Sequence, residues 1–198
     1  MVLGFVIHTV GAGEGSEQCR LLFSHLYGCH LREEKLRGDE LTLEKDRARK
    51  MDQIAIVARQ TETLCLLRRQ ASGLPSSAFI IQSFEEPVLP HEDDVGMFSL
   101  GEPFPQEVTV LWMGCFSLGF SLICDPLDNL TLAENTLRTL VKYLMDNLKL
   151  LTNGTNVILR ADKIHMCLDT FIPQGQLLFL THQATMALEK ELNNTMTL

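Results

Sequence analysis

The residue types able to do chemistry in this chain are six histidines and six cysteines, and their placement argues against most of that chemistry. Cys19, Cys29, Cys65, Cys115, Cys124 and Cys167 form no C-x-x-C pair and no Cys/His cluster at zinc spacing. Each stands in or beside an apolar stretch, where a free cysteine behaves as a small buried hydrophobe. The histidines are dispersed, and none falls in a recognised nucleophile motif with a cysteine or serine. His8 lies inside an apolar run and reads as a packed core residue with a backbone partner. His165 has Asp162 and Asp169 at helical spacing, a set that could ligate a metal; the plainer reading puts it on a solvated or partner-facing side. Gly11, Gly13 and Gly15 in GAGEGSEQ follow a strand-like run, as phosphate-binding loops do. Their spacing is G-x-G-x-G rather than G-x-G-x-x-G, and Glu14 would repel a phosphate. No clear helix with a later ribose-binding acid follows, so a hairpin turn accounts for these glycines. No catalytic, metal or cofactor site is expected.

The basic residues are more concentrated. Ten of the seventeen lie between Arg32 and Arg69, interleaved with eight acids, which reads as a solvated helix face laced with i,i+4 pairs. The end of that run, Leu66-Leu67-Arg68-Arg69, has no local counter-charge. It could meet an acidic partner, an anionic membrane surface or the chain's own acidic segment. That segment, Glu85 to Glu107, carries seven acids, no Lys or Arg, and four prolines, and is expected to be a flexible insert. A net charge of −8 argues against broad nucleic-acid binding, which needs clustered Lys and Arg. No apolar run reaches the ~18–20 residues of a membrane span. The opening MVLGFVIHTVGAG lacks a basic n-region and alternates like a strand rather than a signal peptide. A cytosolic chain is expected, in which the N-x-T sequons at Asn129, Asn153 and Asn193 are only turn and cap chemistry.

The elements that must hold these groups follow from the hydrophobic pattern. Val108–Cys115 (VTVLWMGC) and Phe116–Asp125 (FSLGFSLICD) are two apolar runs back to back, a sheet hairpin that feeds a long amphipathic helix from about Leu130. Val2–Val10 is a first strand, apolar enough to be central in a sheet. Cys19–Tyr27 is a second strand, although the same residues could form a short helix. Asp39 to Ala71 is a long helix, with Met51, Ile54, Val57, Ala58 and Leu64 at helical spacing and Ser72, Gly73 and Pro75 marking its end. Ala78–Phe84 is expected as a short third strand. Arg160–Ile172 is a helix stopped at Pro173 and Gly175, Gln176–Leu180 an apolar connector, and Thr181–Leu192 a final helix. At 198 residues this is one α+β domain without an internal repeat, long enough to bury a real core.

Three segments carry a resemblance: the opening strand FVIHTV, the block VLWMGCFSLGFSLICDPLDNLTLAENTLRTLVKYL, and the tail ILRADKIHMCLDTFIPQGQLLFLTHQATMALEKEL. An aromatic-bearing strand (Trp112), a second strand ending in Asp125, a short turn, and then L-x-x-x-E (Leu130, Glu134) occur in that order in the sigma, or small, subunits of heterotetrameric adaptor protein complexes. The chain resembles that family over nearly its whole length, apart from Glu85–Glu107 and the segment around His30–Gly38. Among sigma subunits it is most similar to those of the fifth adaptor complex, through MVLGFVIHT, IAIVARQTETLCLLRRQASG, GQLLFL and ALEKEL.

The resemblance implies a longin-like fold, a five-stranded antiparallel sheet with one helix on one face and the remaining helices on the other. It implies a non-catalytic subunit that clamps a large adaptin in a complex sorting cargo at late endosomes and lysosomes without relying on clathrin. Its partners would be zeta and beta large adaptins and a mu subunit, with spatacsin and spastizin as associated proteins and membrane contact only through the complex. The Leu and Met residues along Leu137–Leu151 and Met186–Leu192 would suit a partner-covered surface, unless they face the chain's own core. Some sigma subunits also read acidic dileucine signals. The matching positions are Leu118 and Leu140 for the leucines and Arg20 for the acid, residue types that permit a dry pocket and a charge-assisted contact. Around strand two, LLFSHLYG replaces a more polar family segment. Two other classes share some features. Another longin-type trafficking or small-GTPase regulatory subunit would be stable alone, and a nucleotide binder would be stabilised by its ligand.

Overall fold

In a sheet covered on both faces, central strands carry near-continuous apolar runs, whereas edge strands alternate. The computed structural model describes residues 1–11, 19–28, 40–71, 94–148 and 154–196, and within them the strands follow this rule. The strands are β1 (Val2–Thr9), β2 (Leu21–Leu26), β3 (Val95–Leu100), β4 (Val108–Cys115) and β5 (Leu118–Cys124). They form one antiparallel sheet in the order β2-β1-β5-β4-β3. The apolar runs β1, β4 and β5 are central and buried almost throughout, and the mixed runs β2 and β3 are the half-buried edges.

The described helices are α1 (Glu40–Ala71), α2 (Leu130–Leu148), α3 (Gly154–Leu159), α4 (Ala161–Phe171) and α5 (His182–Met196). Among the described residues, helix α1 alone covers one face. Its buried stripe is Ile54, Val57, Ala58, Thr61, Cys65 and Arg69, and the apolar part packs on Val6, Val108, Val110 and Ile123. Met51, which fits the same periodicity, is 54% exposed, so the core-facing stripe starts one turn later. Helices α2, α4 and α5 share the opposite face, where Leu137, Leu140, Leu144, Ile164, Leu168, Phe171 and Leu192 close over Phe5, Ile7, Leu111, Phe120 and Leu122. Two faces with helices on each, one long helix opposing a group, is the longin-like α+β arrangement expected.

Four expectations change. The third strand is Val95–Leu100, inside the stretch read as a flexible acidic insert; the strand expected at Ala78–Phe84 lies outside the described residues. The acids of the stretch stand on either side of VGMFSL, which is itself uncharged, so an average over the whole stretch concealed a six-residue strand. The β3–β4 connection is tied to α1 as well: the Pro103 carbonyl accepts from Gln53 Nε2 at 3.0 Å and Arg49 Nη2 at 3.3 Å. Leu137, Leu140 and Leu144 of α2 are not a partner surface, because they are fully buried, with Met145 5% exposed, in the chain's own core; the part of that expectation from Leu148 to Leu151 lies outside what is described. In α5, Leu192 is likewise buried, while Met186 is exposed. Finally, α3 was not expected from GTNVIL; Val157 inserts into the α2-side core and holds this short turn of helix against β2.

The sequons behave as structural residues where they are described. Asn129 Oδ1 accepts the Leu132 amide at 3.0 Å and so caps α2. Asn193 Oδ1 accepts the buried Tyr143 hydroxyl at 2.8 Å, tying α5 to α2. Asn153 lies outside the described residues. Replacing Asn129 by alanine is expected to cost about 1 kcal/mol, measured by urea denaturation, with serine at that position recovering most of it.

Candidate functional site

Of the residues singled out from the sequence, Arg20 and Leu118 lie at one end of the sheet, where β1 and β4 finish and β2, β3 and β5 begin. Arg20 precedes β2. Its amide donates to Thr9 Oγ1 and its carbonyl accepts the Thr9 amide, both at 2.9 Å. Thr9 pairs with Leu118 at the start of β5. Arg20, Thr9 and Leu118 therefore stand in one row across three strands. The Arg20 side chain is exposed, Leu118 is 3% exposed, and Leu140 of α2 is fully buried in the same apolar cluster. Phe116, in the β4–β5 turn, packs half-buried on that cluster. Arg20 is thus on the surface in the row of Leu118, and both leucines are closed over within the core.

On the α1 face of the same end, Arg69 is 4% exposed and bridges three elements. Its Nε donates to Asp94 Oδ2 at 3.1 Å, and its Nη2 donates to the Phe116 carbonyl at 2.7 Å. The Asp94 carbonyl accepts the Gly114 amide at 2.8 Å. Next to it Arg68 donates to the Val95 carbonyl and lies 6.0 Å from the centre of the Trp112 ring, within cation–π reach. The basic end of α1 therefore meets the chain's own acidic segment, the third of the partners its charge allowed. Gly114 makes this possible: a Cβ there would stand 2.3 Å from Cys65 Sγ and 3.3 Å from Arg69 Nη2.

Sequence reasoning missed one pairing. His8 Nδ1 donates to the Thr9 carbonyl at 2.9 Å, as expected of a core histidine, but Cys19 Sγ lies 3.5 Å from the same nitrogen. Eleven residues apart, the two meet only because β1 and β2 pair. Glu62 of α1 closes the group, accepting the Gly11 amide at 2.9 Å. The electrostatics do not make a nucleophile. Burial lowers His8 below the usual histidine value, the backbone bond opposing it less strongly. Burial first and the Glu62 carboxylate second push Cys19 up to about 12. Both groups are neutral at pH 7, without a thiolate. Gly13, Gly15 and Glu14 of the glycine run lie outside the described residues. The His165 ring makes T-shaped contacts with Phe23 at 5.3 Å and His25 at 4.7 Å between ring centres. Among the described residues no three His, Cys, Asp or Glu side chains are grouped to hold a metal.

Desolvation dominates the other described thiols too, pushing Cys115, Cys124 and Cys167 up to about 12 and Cys65 up to about 11. Unfolded thiols titrate at ~8.5. A folded value above the unfolded one gives stability that is complete below that pH and lost as pH rises through the folded value. The melting temperature is therefore expected to be level from roughly pH 7 to 8 and to fall steadily above about pH 9. On the acid side His8, held low, removes stability below about pH 6.5, where the unfolded chain takes up a proton that the folded one refuses. A Tm series across this range checks both limbs. In parallel, a thiol reagent at pH 8 should leave these five cysteines unmodified until denaturant is added.

The sheet order and, among the described residues, the single helix opposing a helical group define a longin-like module of the type used by small adaptor-complex subunits. The family model described as AP-5 complex subunit sigma-1 matches residues 1–193, and the chain belongs to that family. It is 44% identical over 195 residues to AP-5 complex subunit sigma-1 of Homo sapiens, covering 96% of each chain. It is 44% identical over 156 residues to AP-5 complex subunit sigma-1 of Mus musculus, covering 77% of this chain and 91% of that one. Among the described residues no helix is long and apolar enough to cross a membrane.

Proposed function

We propose that the chain is the non-catalytic small subunit of a heterotetrameric adaptor complex, where it clamps a large adaptin and helps keep the assembly folded. The complex sorts cargo at late endosomal and lysosomal membranes, which this chain reaches only through its partners: zeta and beta large adaptins, a mu subunit, and the associated spatacsin and spastizin. The observation that carries this reading is likeness to a sigma subunit along 96% of both chains. Exposed apolar side chains on the α2 side of the sheet, Leu159 at 73%, Phe179 at 83% and Met186 at 57%, supply the kind of surface a partner covers. Within the complex Arg20 attracts the acid of a dileucine signal, and Leu118 with Leu140 takes the leucines once that end opens.

Affinity capture of the tagged chain, with quantitative mass spectrometry, tests the assignment. Recovery of two large adaptins and a medium subunit in equal amounts is expected, reduced for Phe179→Asp. A small GTPase alone, or a well-folded monomer without associates, would sink it.

A further inference from the structure

Phe116 is the first residue of the two-residue turn between β4 and β5, and its φ is +54°. Left-handed backbone is costly for a bulky side chain, and hairpins of this type place glycine there. Contacts around the turn must hold the conformation. On the far side, the Ser117 carbonyl accepts the Val10 amide at 2.8 Å. On the near side, the Phe116 carbonyl accepts Arg69 Nη2 at 2.7 Å while Arg69 Nε is held by Asp94. A planar guanidinium can satisfy two acceptors at once in fixed directions, which an ammonium cannot. The carbonyl of Phe116 is thus pinned from the α1 face, while its ring packs on the other face against the large apolar cluster to which Leu118 and Leu140 belong.

We propose that Arg69 is a positioning residue: by pinning the Phe116 carbonyl it keeps the β4–β5 turn, and with it the Phe116 ring, closed over Leu118 and Leu140. Access to that end of the core is then governed from the opposite face of the sheet, through the contact between α1 and the residue leading into β3. The ligand concerned, an acidic dileucine peptide, rests on the reading of Arg20, Leu118 and Leu140 given above; the mechanics of the turn do not.

Hydrogen exchange on the full chain tests the mechanics. Arg69→Lys keeps the charge but not the fork, and is expected to speed exchange of the Val10 and Gly114 amides about tenfold while the central amides of β1 and β5 stay protected. Phe116→Gly accepts the φ without help, so adding Arg69→Lys to it should speed those amides little. An unchanged turn in Arg69→Lys, or an equal increase in both backgrounds, would overturn the proposal. If Arg69→Lys loosens the whole fold, Phe116→Gly with Arg69 intact still decides: its Val10 and Gly114 amides should stay protected while the peptide binds several-fold more tightly. Anisotropy with a labelled acidic dileucine peptide reads access in each chain. Tighter binding by Arg69→Lys supports the proposal, and equal measurable binding despite a loosened turn overturns it. Absence of binding in every chain, with the exchange pattern as expected, supports the turn mechanics and instead removes the dileucine reading.

Discussion

Replacing Arg69 by methionine is expected to destabilise the folded chain by about 3–5 kcal/mol, seen as a lower urea midpoint at unchanged slope. Methionine replaces the apolar stem, so packing changes little. What is lost is the counter-charge of Asp94, only 14% exposed, and the donor to the Phe116 carbonyl. An uncompensated carboxylate in that position is the main cost. The double replacement Arg69→Met with Asp94→Leu removes both charges and is expected to recover more than half of the loss, because a buried pair contributes little net stability against an apolar pair of similar volume. A single-variant cost below about 1 kcal/mol would mean that the pair is solvated in the native state.

The second large effect belongs to the core. Phe120→Ala is expected to cost about 3–5 kcal/mol, from lost burial together with the cavity left behind. Phe120 is fully buried at the centre of β5, 6.5 Å from the Phe5 ring, with helices closed over it, so the void has little freedom to collapse. Phe179→Ala is the informative contrast. That ring is 83% exposed, so its removal should shift stability by no more than about 0.5 kcal/mol while still weakening partner capture. Calorimetry on the two variants separates a side chain that holds this chain together from one that does not.

The apolar run of β1 was legible as a central strand because burial on both faces removes the polar alternation, and β4 and β5 were legible as a sheet hairpin, whose central place the structure adds. The hairpin–helix block was legible because Asp125 and Asn129 punctuate it, and Asn129 does cap the helix. The α1 stripe could have been followed further: Ile54, Val57/Ala58, Thr61 and Cys65 lead to Arg69 on the same face, which foretells a buried arginine. Edge strand β3 was hidden, since its partners are supplied by β4 and its flanking acids dominate the local composition. For the candidate site, the resemblance gave Arg20, Leu118 and Leu140 only as matching positions; that Arg20 and Leu118 stand in one row, and their relation to Phe116, were not readable, because both depend on strand register and on a turn conformation that phenylalanine does not favour.

By itself the sequence determined the fold class, the order of most elements and the family, because each is written in local periodicity and in long collinear likeness. The tertiary structure alone decided which charges are neutralised and which apolar residues remain for a partner. Arg69 meets Asp94 across 25 residues, His8 meets Cys19 across 11, and Leu137, Leu140 and Leu144 turn inward while Phe179 turns out. Such pairings depend on how strands register and where a helix lands on a sheet, and the free energy of a buried charge is set by what lies within a few ångströms rather than by its sequence neighbours.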